Sequence, residues 1–400
     1  MLALIWLALA AAVSADWPQF LGSERNGSSA QVVKPWPAAG PPVVWRKQVG
    51  QGFSAPVVSG DRLILFHRIG DRETVECLDA RTGKPLWSYG YPSRYRDDFG
   101  FDEGPRATPA IAGGRVHTFG AEGVLHALDL ASGKKLWEAD THRRFGVAKG
   151  FFGAACSPLV EQGRVLVNVG GTKGAGIAAF DAATGQVAWT ATNDEAGYAS
   201  PVAATLGGAR QALFFTRNGL VGVDPATGKV RFEFRWRSRS HASVNAATPL
   251  VAGEDLVFVS ASYGTGAALL RVSGGEARPV WSSEEALSNH YATSVYHQGY
   301  LYGYHGRQEE GPALRAVEAG TGRVAWSEEG FRAGTVTLAG DQLLILREGG
   351  ELVLAPASPK GFRPAARAQL LKGTVRAYPA LAGGRLYARN EDTLVCVRVE

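Results

Sequence analysis

The side chains best suited to metal binding or nucleophilic attack in this chain of 400 residues are eight histidines and three cysteines. A metal site needs such ligands at short, fixed spacings with suitable partners. His67, His117, His126, His142, His241, His290, His297 and His305 show no such spacing with a carboxylate, and they read as satisfied core or surface residues. Cys77, Cys156 and Cys396 stand alone, without a His or Asn placed to activate a thiolate. Residues 170–176, Gly-Gly-Thr-Lys-Gly-Ala-Gly, have the composition of a phosphate cradle. A working cradle opens a helix with Gly-Lys-Ser/Thr, whereas this stretch joins two strands and reads as a hairpin loop. No catalytic residue and no metal ligand set follow from these residues.

The elements that carry them are set by a recurring phrase, Asp-x-x-Thr/Ser-Gly-x-x-x-Trp. It runs from Asp79 through Gly83 to Trp87, from Asp129 through Gly133 to Trp137, and from Asp181 through Gly185 to Trp189. Another copy runs from Asp224 through Gly228 to Phe232, and another from Glu318 through Gly322 to Trp326. A repeat of roughly 40–50 residues fits one propeller blade. Around each copy lie short runs of alternating apolar residues separated by Gly-rich turns, the pattern of antiparallel strands. The Thr/Ser-Gly pair supplies the turn between third and fourth strands, and the Trp sits on the outer strand, over the edge between sheets.

Inner strands start near Pro56, Pro109, Pro158, Pro201, Pro249, Ser294, Thr335 and Pro379, which makes eight blades. The fifth and seventh have lost most of the phrase and keep Trp281 and Phe362 at the outer position. The eighth stops after its third strand, and residues 43–49 supply the missing one from the other end of the chain. The expectation is an all-β protein: an eight-bladed propeller of four-stranded antiparallel blades over residues 40–400, closed by an N-terminal strand that completes the last blade. Residues 16–39 are expected to form an extended arm packed on the outside. Cys77 and Cys396 hold the same slot of two blades, about 10 Å apart and beyond the ~7 Å reach of a disulfide, so no intrachain bridge is expected.

Residues 1–15 form an apolar run ending in Val13-Ser14-Ala15, a signal-peptide pattern with cleavage before Asp16. The run is short of the ~20 residues of a membrane span. The expected product is exported, periplasmic or extracellular, with no transmembrane segment in the mature chain. A net charge of +5 without long basic runs argues against nucleic-acid binding.

Residues 127–137, Ala-Leu-Asp-Leu-Ala-Ser-Gly-Lys-Lys-Leu-Trp, and residues 179–189 resemble the tryptophan-docking motif of propellers built from pyrroloquinoline-quinone-like (PQQ-like) repeats. The resemblance spans nearly the whole mature chain. That superfamily holds quinoprotein dehydrogenases and non-catalytic, BamB-like outer-membrane assembly propellers. The dehydrogenase branch implies PQQ and Ca²⁺, an adjacent Cys-Cys pair and calcium ligands carried on insertions; the isolated cysteines and the short chain depart from it. The assembly branch implies a non-catalytic scaffold with no cofactor that binds an envelope protein or polypeptide, here as a monomer. A small PQQ-dependent oxidoreductase, or a relic that binds the quinone, is the alternative.

In a propeller, inner-strand starts and the loops around them gather on one face. Three residues before each Pro-equivalent, that mouth is ringed by Phe53, Arg106, Ala155, Tyr198, Ala246, Tyr291, Arg332 and Arg376. Loops rich in aromatics and arginine surround it, among them residues 89–101, residues 142–152 with Arg143 and Arg144, and Arg235-Trp236-Arg237. Arg, Tyr and Trp dominate interface hot spots, and Arg also suits anionic ligands. The candidate binding residues are therefore Phe53, Arg106, Arg143, Arg144, Tyr198, Trp236, Tyr291, Arg332 and Arg376.

Overall fold

The computed structural model describes residues 16–240 and 244–400. The leader expected at residues 1–15 and His241 lie outside the described residues. Among the described residues eight sheets ring a central axis, seven of four strands and one of five. The second blade shows the plan: Ala110–Ala112, Arg115–Phe119, Val124–Asp129 and Lys135–Asp140 pair antiparallel in chain order, from the axis outwards. The last blade takes Ala380–Ala382, Arg385–Arg389 and Thr393–Arg398 from the C-terminus and Val43–Gln48 from the N-terminus as its outer strand. The ring closes as the sequence predicts.

Where it is complete, the recurring phrase joins one blade to the next. In its turn the Asp79 carboxylate accepts the Thr82 N–H at 2.8 Å and the Thr82 hydroxyl at 2.8 Å. The Thr82 hydroxyl is the largest of the contacts that hold this carboxyl below its usual range. The turn glycine has φ of 70° at Gly83 and 73° at Gly133, a backbone shape that side chains resist. It also leaves room for a ring. A Cβ at Gly133 would lie 2.5 Å from the Trp87 indole of the preceding blade, whose Nε1 donates to Leu130 O at 3.0 Å. Trp137 sits likewise on Gly185, Trp189 on Gly228 and Trp281 on Gly322. Trp45, on the N-terminal outer strand, docks on Gly83 and donates to Ala80 O at 3.1 Å, so the closure strand carries the missing clasp of the last blade.

Phe362 departs from its expected place. It lies in the turn before the seventh blade's outer strand, Ala366–Gln369, with its ring 5.7 Å from Trp326. It receives the neighbour's tryptophan instead of supplying a clasp.

The residues two positions before most inner strands form a second ring near the axis. Ala55 N–H donates to the Thr108 hydroxyl, Thr108 N–H to Ser157, Ser157 N–H to Ser200, Ser200 N–H to Thr248 and Thr248 N–H to Thr293. Thr293 N–H then donates to the Tyr378 hydroxyl, which reaches across from the eighth blade to the sixth.

The arm expected on the outside runs through the central channel. Trp17 pairs with Val58 of the first blade, Ile111 N–H of the second blade donates to Pro18 O, and Ser28–Ser29 pair parallel with Leu338 and Ala339 of the seventh. Arg25 is buried, and its guanidinium donates to Ser157 O and Pro158 O of the third blade at 3.0 Å each. Burial pushes this group down to about 9. The reason is that the inner edge of every inner strand exposes backbone N–H and C=O groups, and a buried edge needs partners. A polar, Gly- and Ser-rich segment supplies them better than packed apolar side chains would. The arm then leaves the channel beneath the eighth blade, where Lys34 N–H donates to Val399 O.

Candidate functional site

On the face where the inner strands begin, the channel widens into a cavity of about 380 Å³ above the arm. Its floor is Phe20 of the arm, edge-on to Tyr378 at 5.2 Å, with Ser157 and Ser200 of the hydroxyl ring beside them. Its walls are Phe53, Phe152, Tyr198 and Tyr291, and Phe99, Phe101 and Phe151 stand at its rim.

Two loops bring the phenylalanines together. The first follows the first blade's outer strand, Pro85–Pro92. Buried Arg68 anchors this loop by donating to Tyr95 O at 2.8 Å, Glu103 O at 3.1 Å and Ser93 O at 3.3 Å. Within it the Asp97 carboxylate accepts the N–H groups of Phe99, Phe101 and Asp102 and the guanidinium of Arg106 at 3.0 Å. Burial pushes the Asp97 carboxyl up, and these bonds more than offset it, so it stays below its usual range. The second loop follows a short helix, Thr141–Phe145, capped by Asp140. It delivers Phe152, whose N–H donates to the Tyr198 hydroxyl at 3.3 Å and whose ring lies 5.4 Å from Tyr198. Phe99 packs on Phe152 at 5.3 Å and on Phe151 at 6.1 Å.

The cations of the cavity are already partnered. Arg106 pairs with Asp97 and lies 5.5 Å over Phe53 and 5.2 Å over Phe152. Arg376 pairs with Glu348 at 2.8 Å and lies 5.4 Å over Phe53 and 5.0 Å over Phe101. Tyr291 donates to the same Glu348 carboxylate at 2.6 Å. Arg307 pairs with Glu309 and Glu310 and lies 4.7 Å over Tyr263. His290 completes that wall, its Nε2 3.1 Å from the Tyr263 hydroxyl. Burial is the main cause that lowers its pKa, so the ring stays neutral near pH 7.

Of the candidate binding residues, Phe53, Arg106, Tyr198, Tyr291 and Arg376 meet in this cavity, as do Ala155 and Ala246. Arg332 does not line it; it is exposed with φ of 64° at the start of the seventh blade. Arg143 and Arg144 sit exposed on the short helix, Arg143 beside Asp140 and Arg144 over Phe145. Trp236 packs on Phe234 at 5.7 Å and donates to Gly266 O, which fixes it between the fourth and fifth blades. Phe20 of the arm lines the cavity as well, although the sequence leads one to expect residues 16–39 on the outside. Tyr378 has a sequence signal of its own: it precedes Pro379 where four other blades have Thr or Ser before proline.

Residues 71–327 match the family model described as "Outer membrane protein assembly factor BamB". The chain belongs to this BamB-like family of PQQ-like-repeat propellers. The assembly factor BamB of Burkholderia pseudomallei is 30% identical over 193 residues, 46% of this chain and 44% of that protein. The quinohemoprotein alcohol dehydrogenase ADH-IIG of Pseudomonas putida is 31% identical over 131 residues, which is 31% of this chain and 17% of the enzyme. The chain thus matches less than two thirds of the length of either relative. Among solved structures, BamB from Moraxella catarrhalis superposes with a TM-score of 0.65 at 19% identity, covering 89% of this chain and 97% of that one. The quinohemoprotein alcohol dehydrogenase of Comamonas testosteroni superposes with a TM-score of 0.69 at 17% identity, covering 98% of this chain and 81% of that one. At these identities the likeness establishes the fold.

Proposed function

We propose that this propeller is a non-catalytic, exported scaffold of the cell envelope that holds a polypeptide on its loop face during outer-membrane protein assembly. The observation that carries the reading is the rim of the cavity. Phe99 and Phe101 are 54% and 48% exposed on a loop held rigid by Arg68 and Asp97. Large exposed apolar groups grouped on a fixed scaffold mark interaction surfaces, and aromatic side chains supply the contact area. Family membership supports the role, and the loop face is where the fold gathers its variable segments.

The quinone and calcium implied by the dehydrogenase branch ask for six to eight oxygen ligands around the metal. Glu309 is the single carboxylate lining the cavity among the described residues, and Arg307 already holds it. The lining does not fit that pair, and no redox step is assigned to it.

The test is a titration of a fluorescently labelled, urea-unfolded outer-membrane β-barrel polypeptide, diluted into the purified protein and followed by anisotropy. Changing Phe99→Ser and Phe101→Ser together should weaken binding by about tenfold or more, as loss of two aromatic anchors does, without lowering thermal stability. Unchanged affinity would move the site off this face. Reduction of an artificial dye on adding quinone, calcium and an alcohol would overturn the non-catalytic reading and favour a small oxidoreductase.

A further inference from the structure

The floor of the cavity is built for something smaller than a polypeptide. Ser157 and Ser200 lie side by side there, 2% and 3% exposed, and each hydroxyl oxygen accepts a backbone N–H of the preceding blade at 2.9 Å. A serine hydroxyl also has one proton to donate, and neither of these two meets an acceptor among the described residues. A buried donor left without an acceptor is costly, so two together at the bottom of a cavity ask for an oxygen to be placed above them.

The walls restrict what carries that oxygen. Phe20, Phe53, Phe152 and Tyr198 present ring surface, which favours a flat aromatic body. An anion gains nothing from the nearby guanidinium groups, because Arg106, Arg376 and Arg307 are each neutralised by Asp97, Glu348 and Glu309. A cation gains little from the rings, because Arg106 and Arg376 already lie 5.5 and 5.4 Å over Phe53. The volume, about 380 Å³, is at the lower end of the range of roughly 300–1,000 Å³ typical of small-molecule sites.

We propose that this cavity binds an uncharged aromatic compound bearing a carbonyl oxygen, with the ring between Phe53, Phe152 and Tyr198 and the oxygen accepting from Ser157 and Ser200. The site goes beyond the scaffold reading, since it lies beneath the rim and needs no polypeptide.

Prodan, an uncharged naphthyl ketone whose emission shifts to the blue in apolar surroundings, reports the site directly. It should bind at one site per chain with a blue shift, and Tyr198→Ala should abolish the shift. Three competitors then separate the features of the ligand. 2-Acetylnaphthalene should displace prodan at a concentration roughly fivefold or more below that of 2-ethylnaphthalene, the gain expected of a carbonyl that satisfies a buried donor. 2-Naphthoate should displace it more weakly than the ketone. In Ser157→Ala the ketone should lose its advantage over 2-ethylnaphthalene while both still bind. That variant also removes an acceptor from the hydroxyl ring, so the competitor series on the unaltered protein is decisive if it folds poorly. Equal potency of ketone and hydrocarbon overturns the hydroxyl anchor, and tightest binding by the carboxylate overturns the preference for an uncharged ligand. Absence of prodan binding overturns the site itself, while the polypeptide titration stands or falls on its own.

Discussion

Three histidines of the first two blades tie the stability of the ring to pH. His67, His117 and His126 are each about 1% exposed. Burial, helped by Arg389 and Lys47, pushes His67 down to about 3; burial, helped by Arg115, pushes His117 down to about 4. Burial also takes His126 down to about 4, against the pull of Glu138. His67 Nδ1 accepts the Gly50 N–H at 2.9 Å, a bond that a protonated ring cannot accept. A folded pKa below the unfolded value of about 6.5 means that the unfolded chain binds more protons. The stability is therefore fully present above about pH 6.5 and is lost as pH falls towards the folded values. Between pH 7 and pH 5 each such histidine costs about 2 kcal/mol. Buried Glu73 works the other way: burial raises its pKa, so acid relieves a penalty that it carries near pH 7. Urea unfolding at pH 7 and pH 5 should show a net loss, and in His117→Gln that loss should shrink by about 2 kcal/mol. An unchanged difference between the two pH values would mean that His117 stays neutral in both states.

At the scale of the strand, the clasp depends on an irregularity that the amino-acid pattern hides. In the second blade Lys135 pairs with Leu128 and Trp137 with Ala127, so Leu136 is an extra residue, a β-bulge. The bulge turns Trp137 sideways onto Gly185 of the next blade and leaves Leu136 44% exposed. The same shift recurs before Trp87, where Leu86 is 50% exposed, and before Trp45, where Val44 is 38% exposed. The seventh blade's outer strand has no tryptophan and pairs in regular register. The Asp, Gly and Trp positions, the blade count and the closing strand were legible because turns and periodicity leave residue-type signatures. The bulge was not, since an exposed leucine beside a tryptophan looks like ordinary alternation. Leu136→Lys should change stability by less than about 0.5 kcal/mol, as a substitution at an exposed position does. Trp137→Ala should cost about 3–5 kcal/mol, the range for removing a packed tryptophan. Equilibrium unfolding of both variants checks the pair, and a large loss in Leu136→Lys would mean that the bulged residue packs after all.

Across the whole molecule, one segment closes the ring twice. Val43–Gln48 completes the last blade from outside, and the residues before it hold the inner edges of the blades from within the channel. Residues 16–39 read as an extended arm packed on the outside, because sequence alone does not show that the channel wall is a row of unpaired strand edges. Once those edges are counted, a buried arginine becomes reasonable: Arg25 satisfies Ser157 O and Pro158 O at once and also bonds Gln19 at 3.0 Å. Ser157 and Pro158 lead into the third blade and Ser157 lines the cavity floor, so the arm and the loop face share one support. Arg25→Met keeps the length and the apolar stem but leaves two buried carbonyls without donors, at a cost of about 2–4 kcal/mol. Hydrogen exchange should then quicken at Trp17, Val58 and Leu338, whose N–H or C=O groups bond between the arm and the inner strands, before it quickens at the outer strands. Uniform protection in Arg25→Met, with no loss of stability, would show that the arm is held by its apolar contacts, Trp17 and Leu21, and that the channel tolerates the unpaired carbonyls.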